Sequence, residues 1–164
     1  ALGRMLVATT QTGICSLTFG EDDGALAHDL EAEFARADRL DRDEVGLKPI
    51  LEDVVNHLET GALPHRQLKL DVQGTAFQRR VWQALLAMPN GAVLSYGELG
   101  QEMGMEQGQR AVAKGCATNK VGFLIPCHRI VRSDGGLGGY RWGIKRKQRL
   151  LAMESERFGA KGRH

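Results

Sequence analysis

The chain has 164 residues, of which 42% are hydrophobic and 26% are charged, an ordinary balance for a globular protein that buries a core. It contains no run of 18 apolar residues and no charged-then-apolar leader, which excludes a membrane span and a signal peptide as expectations. Residues 1–70 carry seven Lys and Arg against thirteen Asp and Glu, whereas residues 71–164 carry fifteen against seven, so the second half is expected to meet a polyanion.

The cysteines, Cys15, Cys116 and Cys127, are odd in number and widely spaced. This pattern predicts no disulfide framework, no zinc site and no other metal site, and it favours a reducing, cytoplasmic compartment. No cofactor motif is present either. Because the chain does not begin with Met, we interpret it as a piece of something longer.

The first half predicts a small α+β scaffold. Residues 5–10 and 14–19 have strand patterns around a turn at 11–13, which predicts a β-hairpin. Two helices are expected next, one reaching Leu40 and one over residues 47–58. The apolar faces assigned to them are Leu26, Leu30, Phe34 and Leu40 in the first, and Ile50, Val54, Val55 and Leu58 in the second. Alternation over 68–72 predicts a short strand that closes the unit.

The second half predicts helices around a site. Thr75 with Gln78, and Ser95 with Glu98, have the capping-box pattern, so helices are expected to begin after Thr75 and after Ser95. A further helix over 107–118 follows a Gly-containing turn, and together the two short helices give the helix-turn-helix pattern.

The helix at 109–117 has small side chains apart from its cations, Arg110 and Lys114, four residues apart. Two cations on one side suit phosphates, and the smooth face suits contact with a narrow groove without reading base edges. The alternative is an internal helix packed closely through Ala and Gly, and spacing alone leaves both open.

The stretch Ile125–Val131 places a thiol, an imidazole and a guanidinium side by side between apolar flanks. Pro126 restricts the backbone, so Cys127 is interpreted as a held nucleophile whose pKa is lowered by His128 and Arg129. The alternative is a small buried cysteine beside a core histidine. A Gly-rich loop at 133–143 and a basic helix at 144–154 follow, and the tail at 159–164 is expected to be disordered.

Pro126-Cys127-His128-Arg129 with its apolar flanks resembles the active-site signature of the O6-alkylguanine-DNA alkyltransferases. The resemblance covers residues 70–154 strongly and extends to further blocks in family order: Gly74–Gln78, Val81–Leu85, Ser95-Tyr96, Arg110–Ala113 and Gly139–Gly143. A weaker likeness at Leu2–Arg4 and Gly13–Cys15 is to the bacterial adaptive-response branch.

The resemblance implies an α/β (α+β) fold with a ribonuclease-H-like scaffold domain at 1–72. It implies a helical, winged-helix-like DNA-binding and alkyl-acceptor domain at 73–158. The implied activity is the irreversible, single-turnover transfer of the alkyl group of O6-methylguanine, and of O4-methylthymine, in DNA to Cys127. The implied partner is double-stranded DNA, bound in the minor groove without sequence preference by a monomer.

Roles follow residue by residue from the same resemblance. His128 takes the thiol proton through a water, Glu154 orients the imidazole, and Tyr96 donates to the ring nitrogen N3 of the leaving guanine. Arg110 fills the gap left by the extruded base. The remaining DNA contacts are Ala111, Lys114, Ser95 and Thr75. The implied pocket and hinge residues are Asn119, Tyr140, Arg141, Lys147 and Arg129, with Asn119 as the hinge, Lys147 and Arg141 at the pocket rim, and Arg129 tied to the surrounding backbone.

Two other classes of function remain open. Lesion-binding relatives on the same fold replace the nucleophilic cysteine, whereas this chain retains Cys127. A transcriptional regulator would use the helix-turn-helix, against which the small side chains of 109–117 argue.

Overall fold

A computed structural model of the chain describes residues 2–37, 39–61 and 68–159. They form a mixed α/β structure that divides into two compact units, residues 2–72 and the part of the chain from Gln73 onward. None of the helices in the described part combines the length and apolar character needed to cross a membrane.

The first unit begins with an antiparallel hairpin of β1 (Arg4–Thr9) and β2 (Ile14–Gly20). Helix α1 (Asp23–Glu33) is capped by the Asp22 carboxylate and packs on both strands, and α2 (Lys48–Thr60) ends at a left-handed glycine. The predicted hairpin and two helices are therefore confirmed. The buried side chains of this unit include Val7, Ile14, Leu17, Phe19, Leu26 and Val54.

Three details of the first half were predicted wrongly. Helix α1 ends at Glu33 instead of reaching Leu40, which is 46% exposed, because no buried surface receives the apolar side chains beyond Phe34. Val55, which was assigned to the apolar face of the second helix, is exposed, whereas its neighbour Val54 is buried. The strand expected at 68–72 is reduced to a single bridge between Leu70 and Ile14.

The described residues of the second unit form four α-helices: α3 (Ala76–Leu86), α4 (Tyr96–Glu102), α5 (Gln109–Ala117) and α6 (Ile144–Phe158). Both predicted capping boxes are present, at the starts of α3 and α4. Helix α6 runs four residues beyond the predicted end at Glu154. Of the tail expected to be disordered, only Gly159 lies within the described residues.

Helices α3 and α5 pack unusually closely, and this contact anchors the helix-turn-helix. A Cβ on Gly115 of α5 would lie 2.8 Å from a methyl carbon of Val81 on α3, so only glycine fits there. The indole Nε1 of Trp82 donates to the Gly115 carbonyl oxygen at 3.1 Å. The small side chains of α5 therefore serve packing on its inner side, while Arg110 and Lys114 are exposed.

Two very short strands, β3 (Leu94–Ser95) and β4 (Ile130–Val131), pair in parallel. Strand β3 leads directly into α4, and β4 directly follows a one-turn 3-10 helix at Cys127–Arg129. This pairing brings Leu94 opposite Ile130 and Ser95 opposite Val131. The start of α4 and the Cys-His-Arg turn are thereby held at the same place in the core.

Candidate active site

The Cys127 thiol is buried, with 5% of the residue exposed, at the start of the 3-10 helix. Its Sγ accepts a hydrogen bond from Nδ2 of Asn119 at 3.2 Å. Asn119 is fully buried and also binds the backbone of Val121 and Ile125 through bonds of 2.9–3.1 Å. One amide therefore fixes both the loop before the cysteine and the sulfur itself.

Burial raises the pKa of the Cys127 thiol, and this desolvation outweighs the hydrogen bond from Asn119 and the charges of Lys147 and Arg141, which lower it. The expectation that His128 and Arg129 lower this pKa is wrong, because burial raises it and the cations whose charge opposes that effect are Lys147 and Arg141. The resting thiol is protonated at neutral pH. A base must therefore remove its proton during any reaction in which the sulfur is the nucleophile.

Glu154 on α6 lies beside the turn and is shared by two partners. Its Oε1 is 2.9 Å from Nε2 of His128 and 2.9 Å from Nη2 of Arg129. Burial by itself raises the pKa of Glu154, but the hydrogen bonds from His128 and Arg129, together with the charge of both groups, lower it to about 2. The side chain is therefore a carboxylate that only accepts hydrogen bonds.

The His128 imidazole is neutral and its tautomer follows from this partner. Burial lowers the pKa of His128, more than the hydrogen bond and charge of Glu154 raise it. Because the Glu154 carboxylate accepts, Nε2 must carry the imidazole proton. The other nitrogen, Nδ1, is buried and has no hydrogen-bond partner within the described part of the chain. Its lone pair is thus available to take a proton, directly or through a water.

The guanidinium of Arg129 is the second partner of Glu154. Its Nε donates to both carboxylate oxygens, at 3.1 and 2.9 Å. Nη1 donates to the carbonyl oxygen of Met88 at 3.2 Å, and Nη2 donates to Oδ1 of Asn90 at 3.1 Å. The sequence predicted no role at this site for Met88 or Asn90, which follow α3, and the fold brings them to Arg129.

Lys147 lies in the interior instead of at the pocket rim that the resemblance implied. The residue is fully buried, and its Nζ donates to the carbonyl oxygens of Ile130 at 2.6 Å and Gly139 at 3.1 Å. The same nitrogen stands 5.9 Å from the ring centre of Tyr96. Burial lowers the pKa of Lys147. The side chain therefore ties β4 to the Gly-rich loop and adds positive potential near the sulfur.

The two tyrosines of the site stay protonated. Burial raises the pKa of Tyr96 to about 12, so its hydroxyl is a donor at neutral pH. A Cβ on Gly138, whose φ is +73°, would lie 3.0 Å from that hydroxyl, so glycine lets the loop approach it closely. Tyr140 stands edge to face with Trp142, with ring centres 5.3 Å apart, and burial raises its pKa as well.

Arg141 connects the same loop to Asn119. Its Nη1 donates to the Asn119 carbonyl oxygen at 2.8 Å, and its guanidinium carbon lies 5.3 Å from the ring centre of Trp142. Trp142 is buried, and sequence reasoning assigned it no role. Its aromatic character beside two site residues was the signal that was available.

The residues expected to contact DNA fall into two groups. Arg110 and Lys114 are exposed on α5, with Ala111 partly exposed between them. Ser95, in contrast, is buried, and its hydroxyl accepts from the backbone N–H of Glu98 at 3.0 Å. The Thr75 hydroxyl similarly accepts from Gln78. Both hydroxyls are already engaged as helix caps.

The pH dependence of any reaction of Cys127 that uses His128 as base is predicted from these pKa directions. Because the pKa of His128 is lowered, the basic form persists below pH ~6.5, the value of a free imidazole. We expect the rate at saturating substrate to stay flat from about pH 8 down to about pH 6.5 and to fall only below it. Single-turnover rates measured across this pH range in buffers of constant ionic strength test this prediction. A decrease in rate that begins above pH ~7 would contradict it.

Known proteins that resemble this chain share the part that carries the site. Residues 76–156 match the family described as 6-O-methylguanine DNA methyltransferase, DNA binding domain. The chain is 45% identical over 155 residues, 94% of its length, to the bifunctional transcriptional activator/DNA repair enzyme Ada of Escherichia coli K12. It spans only 43% of that relative. It is 31% identical to the methylated-DNA–protein-cysteine methyltransferase of Lodderomyces elongisporus, covering 92% of this chain and 86% of that one.

Solved structures agree with this match. The crystal structure of Mycobacterium tuberculosis OGT in complex with DNA superposes with a TM-score of 0.76 at 30% identity, covering 95% of this chain and 89% of that one. The structure of Mycobacterium tuberculosis O6-methylguanine methyltransferase gives a TM-score of 0.75 at 29% identity, covering 95% and 88%.

Proposed function

Because the chain belongs to the 6-O-methylguanine DNA methyltransferase family, we propose that it repairs DNA by taking the alkyl group of O6-methylguanine onto its own Cys127. O4-methylthymine is proposed as a second substrate. The observation that carries the proposal is a buried, positioned thiol one residue away from a neutral imidazole, which a carboxylate holds in the base-competent tautomer.

The proposed reaction is a single in-line displacement. The thiol proton passes to Nδ1 of His128 through a water, and Sγ forms a bond to the alkyl carbon as the bond between that carbon and O6 breaks. The electron pair leaves with guanine, and the Tyr96 hydroxyl donates to N3 of the departing base. Glu154 stabilises the imidazolium that forms. The product thioether is not hydrolysed, so each molecule acts once.

Entry of the substrate requires extrusion of the base. O6 lies on the major-groove edge of a stacked pair, so a protein docked in the minor groove reaches it only by flipping the nucleotide, at a cost of a few kcal/mol. We propose that α5 lies in the minor groove without reading sequence, with Arg110 filling the vacated stack and Lys114 near phosphate. The exposure of both cations on α5 supports this arrangement.

The finer architecture is proposed on the same basis. Residues 1–72 are proposed as a ribonuclease-H-like scaffold domain, and 73–158 as a winged-helix-like domain that binds DNA and accepts the alkyl group. The protein is proposed to act as a monomer in the cytoplasm. Within the described residues Cys15, Cys116 and Cys127 form no disulfide, which supports the proposal of a reducing compartment.

A non-catalytic lesion binder on the same fold is the alternative, and a transcriptional regulator is another. Neither accounts for the hydrogen bond from Asn119 to Sγ of Cys127 or for the orientation of His128. A binder needs only a pocket, whereas these contacts serve a proton transfer.

Intact-mass measurement tests the proposal. The protein is incubated with a duplex that contains one O6-methylguanine, and a gain of a single methyl group per molecule is expected, with guanine restored in the DNA. An unchanged mass with tight binding to the lesion would favour the binder. Repair of several lesions by each molecule would exclude the single-turnover mechanism.

Replacing Arg110 by alanine is expected to slow transfer from duplex DNA by about tenfold to a hundredfold, because unstacking costs a few kcal/mol and loses its compensation. Transfer from the free base O6-methylguanine is expected to change little. The exposed Arg149 on α6 offers a matched control, since Arg149→Ala removes the same charge elsewhere. Equal losses by Arg110→Ala on both substrates would argue against a role in base extrusion.

A further inference from the structure

The guanidinium of Arg129 has hydrogen-bond partners in two parts of the fold, helix α6 and the turn after α3. Toward the site, Nε and Nη2 make three bonds of 2.9–3.1 Å to the Glu154 carboxylate. In the turn after α3, Nη2 also donates to Oδ1 of Asn90 at 3.1 Å and Nη1 donates to the Met88 carbonyl oxygen. The position of the cation is therefore decided as much by the turn after α3 as by the catalytic carboxylate.

One oxygen of Glu154 serves two donors. Oε1 accepts from His128 Nε2 and from Arg129 Nη2 at the same distance, 2.9 Å. A carboxylate that lies closer to a cation stabilises an imidazolium less, and one that is released from the cation stabilises it more. The location of Arg129 therefore determines how much of the Glu154 charge reaches the imidazole.

We propose that Asn90 is a positioning residue for the transfer reaction: by holding Nη2 of Arg129, which also donates to Glu154, it sets how Glu154 is shared between Arg129 and His128. Through this sharing it sets the proton affinity of the base. Asn90 itself is exposed and carries no charge, and its side-chain oxygen accepts a hydrogen bond from Arg129. It acts on the base only through Arg129.

Several other charged or titratable groups lie near His128 and Glu154. His128 is faced by Glu154 and Lys147 from α6 and by Arg129, the next residue in the chain. Glu154 faces His128 and Arg129, and Tyr140 of the Gly-rich loop stands close enough to sense its charge. Within the described residues, Arg129 contacts an exposed side chain, that of Asn90, so Asn90 is a place where this network can be altered from outside.

Two substitutions at this position are expected to act in opposite directions. Asn90→Asp places a carboxylate against Arg129, drawing the cation from Glu154, and is expected to move the acid limb of the transfer rate upward by about one pH unit. Asn90→Ala removes the outer acceptor and leaves Arg129 to bond more closely with Glu154, so the limb is expected to move slightly downward. Rates are measured at saturating duplex across the pH range.

The rate measurement rests on the proposed function, because it requires alkyl transfer. A second readout does not require alkyl transfer. The Nε2 proton resonance of His128 in the free protein reports the strength of its bond to Glu154, and it is expected downfield in Asn90→Asp and upfield in Asn90→Ala. Gln83→Glu, on the exposed side of α3, adds the same charge and is expected to leave both readouts unchanged.

The outcomes separate the possibilities. A merely structural role for Asn90 would lower stability in both variants while leaving the proton resonance and the acid limb where they are, and this result would overturn the proposal. Shifts of the same sign in both variants would overturn it too. If no methyl is transferred by the parent protein, the proposed function fails, and the resonance alone then decides the role of Asn90.

Discussion

Replacing Cys127 by serine is expected to abolish alkyl transfer completely while leaving binding to lesion-containing duplex intact. A serine hydroxyl is far less acidic than a thiol, so a neutral histidine cannot activate it to the same degree. The substitution is nearly isosteric, and Nδ2 of Asn119, now 3.2 Å from the sulfur, keeps an acceptor in the hydroxyl oxygen. The fold should therefore survive. Intact mass after incubation, together with a binding isotherm, measures both properties.

The two other buried cysteines provide matched controls. Cys116→Ser and Cys15→Ser are expected to gain one methyl group per molecule, as the parent does, because the proposed acceptor is Cys127, whose neighbour His128 is oriented by Glu154. Methyl transfer to Cys127→Ser protein, or its loss in Cys15→Ser, would show that the acceptor has been assigned to the wrong residue.

Replacing Glu154 by glutamine is expected to affect both rate and stability strongly. The amide can offer a hydrogen to Nε2 of His128, which favours the tautomer with the proton on Nδ1, and it no longer stabilises the imidazolium. Loss of general-base catalysis of this kind costs about a hundredfold or more in rate. Removal of the carboxylate also leaves Arg129, whose side chain is only 9% exposed, without its counter-charge, at a cost of about 3 kcal/mol or more in the free energy of unfolding.

Glu156→Gln is the matched control, two residues further along α6 with an exposed side chain. It is expected to change neither the single-turnover rate nor the unfolding free energy measurably. The contribution of Glu154 should also depend on pH. Because its folded pKa is about 2, its stabilisation is present above the unfolded value of about 4.3 and is lost as the pH falls toward 2. Denaturant unfolding at pH 7 and at pH 3 measures this, and an equal effect of Glu154→Gln at both would contradict it.

Local signals in the sequence were sufficient for much of the fold. Both capping boxes require only neighbours three residues apart, and they were confirmed at Thr75 and Ser95. The hairpin depends on a period-two pattern around a short turn and was confirmed as well. The prediction that the first helix reaches Leu40 was wrong, because apolar residues at helical spacing extend a helix only where a buried surface receives them, and Leu40 is exposed.

The site shows the same division. Cys127, His128 and Glu154 were identified from the sequence and its resemblance to a family, and the structure brings all three together. The direction of the Cys127 pKa shift was not predictable, because desolvation depends on how deeply the fold buries the sulfur. Asn90 and Met88 carry no motif, since neutral acceptors are found everywhere in a chain.

The sequence by itself determined the helix starts, the hairpin, the candidate nucleophile and its family, because each depends on neighbouring residues or on an uninterrupted motif. Only the tertiary structure decided that Lys147 lies in the interior, that Glu154 accepts hydrogen bonds from both His128 and Arg129, and that Asn90 accepts one from Arg129. Those features depend on distances between residues that are 17 to 39 positions apart in the chain, and such distances are set by packing.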